Sequence, residues 1–106
     1  MENSHENQRK NAIFRSELHD LDDVKAFFHD LVFVLHVSFH PDEDFKEYIN
    51  IDTKERSFTD IEAFALNKCM ELCFKICGIR SNDLIYRLAL EATEAFYNHN
   101  QQNHQV

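Results

Sequence analysis

Residues 59–78 read TDIEAFALNKCMELCFKICG, and the rest of the chain is arranged around them. Thr59 and Glu62 have the spacing of a capping box, in which the threonine oxygen and the glutamate carboxylate each take a backbone N–H that the first helical turn leaves without a partner. Gly78 follows the last apolar residue, where a left-handed C-terminal cap would fall. Between these marks the polar residues Asn67, Lys68, Glu71 and Lys75 make one narrow stripe, with Glu71 and Lys75 spaced for an i,i+4 ion pair. The spacing predicts a helix over residues 59–77, apolar around most of its circumference. Such a helix needs cover on several sides, which makes it the expected core helix.

Working outward, two further helices are expected. In residues 21–39 the apolar side chains Leu21, Val24, Phe27, Phe28, Leu31, Val32, Leu35 and Phe39 keep a helical period, with Asp22, Lys25, His29 and His36 opposite. Asp20 or Asp22 can cap the start, and Pro41 disfavours helical geometry at His40. Residues 31–39 (LVFVLHVSF) also suit a buried strand, because they are rich in β-branched and aromatic side chains; that reading would change the class from all-α to α+β. The last helix is expected over residues 82–98, capped by Ser81 or Asn82, with Leu84, Ile85, Leu88, Ala92, Ala95 and Phe96 turned inward. The three residues Gly78 to Arg80 between it and the core helix imply antiparallel packing.

Residues 40–59 are the only long irregular stretch. Pro41 with Asp42, Glu43 and Asp44 resembles the start of a short helix turning Phe45, Tyr48 and Ile49 inward. Residues 49–51 and 56–58 flank Asp52-Thr-Lys-Glu55 as a small hairpin would, with Lys54 where glycine is usual. Residues 1–11 and 99–106 are polar tails with little to bury, expected to be disordered, and 12–98 form the single domain. Ile13, Phe14 and Leu18 form either a short first helix or an extension of the next. The fold expected is therefore mainly α: a small three-helix bundle with an irregular or hairpin segment between the first two long helices.

The pattern Phe39-His-Pro-Asp-x-Asp-Phe-x-x-Tyr-Ile-Asn50, followed by Ser57-Phe-Thr59 and Cys73-Phe-x-x-Cys77, resembles small bacterial proteins of uncharacterised function over residues 39–90. The resemblance implies a bacterial cytoplasmic setting, but no activity and no site residues.

The 106 residues include ten phenylalanines but only one glycine and one proline, so long helices are favoured over a many-stranded sheet. The formal charge of −8 disfavours a surface that tracks nucleic-acid phosphates. No run of about 18 apolar residues exists to span a membrane. Met1 to Lys10 lack the apolar region of a secretion signal, and three cysteines do not make a disulfide framework, so a cytoplasmic location is expected.

Cys69, Cys73 and Cys77 repeat every fourth residue, within an arc of about 80° on a helix. Thiolates so placed could chelate zinc or copper(I). The plainer reading is cysteine as a small buried hydrophobe. His29, His36 and His40 are expected to face solvent. Asp42, Glu43, Asp44 and Glu47 fail the calcium-loop template, with Glu47 where glycine is needed. No phosphate loop, nucleophile elbow or HExxH is present, so no enzyme, cofactor or catalytic residue is expected. The function expected is a small acidic interaction or regulatory module acting through a helical surface. Excess apolar area on the central helix points to a homodimer, through some of Phe27, Phe28, Phe33, Phe64 and Phe74. The alternative is a metal-binding or redox protein built on Cys69, Cys73 and Cys77.

Overall fold

The computed structural model describes residue 13, residues 17–78 and residues 83–104. Helix α1 spans Leu21–Phe33. Its N-cap is Asp20, whose carboxylate accepts the Asp23 N–H at 3.0 Å, while the Asp23 carboxylate reaches back to the His19 N–H at 2.8 Å. Acidic residues in the first turn suit the positive end of the helix dipole. Val24, Phe27, Phe28, Leu31 and Val32 are fully buried, and α1 makes its broadest contact with α3 (Leu84–His104). Helix α2 is Asp60–Gly78 and packs on both. These three helices make a mainly α bundle, with no strand among the described residues.

The expected helix over 21–39 ends six residues early, at Phe33. His36 takes a left-handed conformation with φ 57°, a region that histidine enters more readily than most side chains. The Val37 N–H then returns to the Leu31 carbonyl at 3.0 Å. The cause is tertiary. The side chain of Asn50 donates to the Leu35 carbonyl, the Ile51 N–H donates to the His36 carbonyl at 2.8 Å, and Asp52 Oδ2 holds His36 Nδ1 at 2.6 Å. Partners supplied from residues 50–52 replace the helical ones. Beyond that corner the chain is extended, with Val37, Phe39 and Pro41 buried and Ser38 and His40 exposed. A single antiparallel bridge, Val37 to Asn50, is all that comes of the strand reading.

The expected hairpin is present in reduced form. Ile49 and Arg56 bridge antiparallel, the Asn50 N–H donates to the Glu55 carbonyl at 2.9 Å, and Lys54 has φ 65° as the glycine substitute. The Asn50 side chain accepts from the N–H groups of Asp52 and Thr53 at 2.8 and 3.0 Å, which shapes the turn. The short helix start shrinks to one 3₁₀ turn, Phe45–Glu47, capped by Asp44. Asn67 on α2 pins it, accepting the Phe45 N–H and donating to Asp44 Oδ1, both at 3.1 Å. Phe45 is thereby fixed in the core against Phe27, Tyr48 and Phe58.

The capping box of α2 forms in both directions, Thr59 N–H to Glu62 at 3.0 Å and Glu62 N–H to the Thr59 hydroxyl at 3.2 Å. Gly78 departs from expectation: it is the last helical residue and has no positive φ. The larger correction concerns cover. α2 buries one face, through Ala63, Leu66, Cys69, Met70, Cys73 and Cys77, while Ile61 and Phe64 remain 75% and 63% exposed. The helix enclosed by its neighbours is α1, because the segment from Phe39 to Phe58 lays Phe39, Phe45, Tyr48 and Phe58 into the same core cluster, with Phe39 and Phe45 against Phe28 and Phe27.

Helix α3 continues to His104, six residues beyond the expected end. Its inward residues are Leu84, Ile85, Leu88, Ala89 and Phe96, whereas Ala95 is exposed. The expected caps Ser81 and Asn82, the tail 1–11, Phe14 and residues 105–106 lie outside the described residues; Ile13 and Leu18 belong to the core.

Candidate functional site

Among the described residues, exposed apolar side chains gather against a second element on the outward face of α3. Tyr86, Leu90, Thr93 and Tyr97 follow one another at intervals of four, three and four residues, so they share one stripe of the helix. Leu90 is 57% exposed. The extended chain at residues 38–41 walls one side. Together they enclose an open depression of about 320 Å³, lined by Phe39, His40, Pro41, Tyr86, Ala89 and Leu90 among others. A second of about 360 Å³ adjoins it through Ser38 and continues past Ile49 and Tyr97. Of the six large hydrophobic residues exposed among the described residues, Ile49, Tyr86, Leu90 and Tyr97 line this trough.

The wall is held rigidly. Buried Tyr48 clamps His40, its hydroxyl accepting the His40 N–H at 3.1 Å and donating to the His40 carbonyl. Burial pushes the Tyr48 phenol well above its ordinary range, against the lowering effect of that backbone hydrogen bond. At the rim, the Tyr86 hydroxyl donates to Asp42 Oδ1 at 2.9 Å, which raises the Tyr86 phenol. The Asp42 N–H donates to His40 Nδ1 at 3.2 Å, tying the His40 ring to the rim. Phe74 of α2 meets the Tyr86 ring edge-on at 6.3 Å, bracing it from behind. An apolar floor with a few fixed polar groups at the rim suits side-chain recognition.

The surface set expected from sequence needs correction. Phe27 and Phe28 are fully buried, with ring partners Phe45 and Phe39, and cannot meet a partner. Phe33 is half-buried between the stacked His29 ring at 4.3 Å and the edge-on Phe96 ring at 5.3 Å. Phe74 is half-buried, and Phe64 alone stands out, with the Lys68 ammonium 4.7 Å over its ring. The sequence pattern turned Ile49 inward, whereas it is 54% exposed, and did not single out Tyr86, Leu90 and Tyr97. The 4-3-4 spacing on α3, distinct from the inward stripe, was the signal available for three of them.

Cys69, Cys73 and Cys77 are buried and not joined in disulfides, and burial raises the Cys77 thiol. Among the described residues no group of three or more His, Cys, Asp or Glu side chains is placed to hold a metal ion. His29 and His40 are exposed, while His36, half-buried, is paired with Asp52 rather than standing on a helix face. No helix is long and apolar enough to cross a membrane. The chain matches no family model, no curated protein and no solved structure.

Proposed function

We propose that the protein is a small acidic interaction module that docks a protein partner on the outward face of α3. The observation that carries this reading is the gathering of Ile49, Tyr86, Leu90 and Tyr97 along one trough. Scattered exposed hydrophobics are ordinary, whereas a continuous apolar strip beside a wall is the form interaction sites take. The Tyr48 clamp supports it, since a wall that does not move on binding costs little entropy. Three buried cysteines outside any disulfide fit a reducing, cytoplasmic setting.

Peptides selected from a random library on the folded protein, mapped by amide chemical shifts, test the reading. Shifts confined to residues 38–41 and 86–97, and abolished by Leu90→Glu, are expected. Binders that map to Ile61 and Phe64, or that survive Leu90→Glu, contradict it.

A further inference from the structure

We propose that the partner is a second copy of this chain, its α3 packed antiparallel on the first about a twofold axis between Leu90 and Thr93. The inference rests on the docking reading above and supplies its partner. Three observations favour it.

The first is spacing. Intervals of four, three and four residues are those of side chains that interlock between paired helices, and α3 is one helix throughout this span. From Tyr86 to Tyr97 the seam runs about 16 Å at 1.5 Å per residue.

The second is symmetry. A twofold contact requires that what residue i meets on the other copy should meet i in return. With the axis between Leu90 and Thr93, Tyr86 lies opposite Tyr97 of the second copy, and Leu90 opposite Thr93. Aromatic meets aromatic at both ends, and the smaller pair meets at the centre.

The third is charge. Arg87 and Glu94 are both exposed and, at 100° per residue, stand on the same flank of the seam. The antiparallel register sets Arg87 of each copy near Glu94 of the other, giving two contacts of opposite sign. Glu91 lies more than 100° around the helix from the middle of the seam, so it stays clear. The formal charge of −8 opposes association of two copies in general. The four seam positions are uncharged and the Arg87–Glu94 contacts offset part of the repulsion, while Asp83 on the same flank and Asp42, Glu43 and Glu47 beside the trough keep the contact weak and salt-dependent. On α2 the rival patch is only Ile61 and Phe64, with Lys68 already over the Phe64 ring.

A single helix pair of this length falls below the standard interface size, so dissociation constants of the order of micromolar are expected. The test is sedimentation velocity on the full chain from about 1 to 500 μM, with circular-dichroism melts confirming that every variant is folded. The wild type should pass from monomer to dimer, and Leu90→Glu should remain monomeric. Arg87→Glu and Glu94→Arg should each weaken the dimer about tenfold, because each replaces two favourable contacts by two repulsive ones. An equimolar mixture of those two variants should form a heterodimer of wild-type strength, and the double variant should recover the homodimer. A wild type monomeric at 500 μM overturns the second copy as partner and leaves the docking reading to its peptide test. A dimer indifferent to Leu90→Glu overturns both. A dimer broken by Leu90→Glu but not rescued by the mixture overturns the antiparallel register.

Discussion

Helices α1 and α3 pack against each other, yet they use their apolar residues in opposite ways. Every large apolar side chain in the middle of α1, from Val24 to Val32, is fully buried. α3 carries two stripes: Leu84, Ile85, Leu88 and Phe96 face α1 and α2, while Tyr86, Leu90 and Tyr97 look outward. The same residue types therefore hold the fold together on one helix and stand beyond it on the other. What decides between the roles is not apolar content but whether a neighbouring segment is available to cover the stripe. For α1 the loop from Pro41 to Phe58 adds cover. For the outer stripe of α3 the chain supplies only a wall, residues 38–41.

Substitutions should separate the two roles sharply. Phe27→Ala, on the enclosed side, removes a ring packed on Phe28 and Phe45 and should cost about 3–5 kcal/mol, enough to unfold much of the population in a urea titration. Tyr48→Phe leaves a ring in place but strips the hydroxyl from the His40 backbone, costing about 1–3 kcal/mol at neutral pH. Its pH dependence has a definite sign. Burial raises the Tyr48 phenol in the folded state, so the unfolded phenol ionises first. The stability from this group is complete below about pH 10 and falls as pH rises above it. Tyr48→Phe should flatten that alkaline limb in melts recorded at stepped pH; an unchanged limb would mean that the clamp is open in solution. Asn67→Ala frees the 3₁₀ turn from α2 and should cost about 1–2 kcal/mol, with faster amide exchange at Phe45. Leu90→Glu, on the outer stripe, should change stability by less than about 0.5 kcal/mol while removing association.

The parts legible in the sequence are those fixed locally. The Thr59–Glu62 capping box, the inward stripe of α3 apart from Ala95, and the left-handed Lys54 all depend on residues within a few positions of each other, and the structure has them. Residues 34–39 were not legible. A 3.6-residue period runs through LVFVLHVSF, while Val37-Ser-Phe-His-Pro41 alternates with period two, and both patterns bury Val37 or its neighbours. Asn50, Ile51 and Asp52, from 14 to 16 positions beyond His36, decide the matter by taking up the groups of Leu35 and His36. Cover of α2 was illegible for the same reason. Its apolar circumference says that it could be enclosed, but enclosure depends on where the loop falls; the loop's 3₁₀ turn rests on one side of α2 while Phe39 and Phe45 reach on to Phe28 and Phe27 of α1, and Ile61 and Phe64 stay uncovered. Phe27 and Phe28 fail as surface residues in turn, since they lie on the helix that is enclosed, while Phe64 is exposed as expected.

The central claim is that the outer stripe of α3 is a contact surface and not part of the core. Sedimentation of wild type and Leu90→Glu side by side at about 200 μM, with a thermal melt of each, tests it most directly. The account predicts a dimer for the wild type, a monomer for Leu90→Glu and the same melting midpoint within a few degrees. Two identical dimer profiles, or a variant that no longer folds, would contradict it, whereas two monomers would overturn only the second copy as partner.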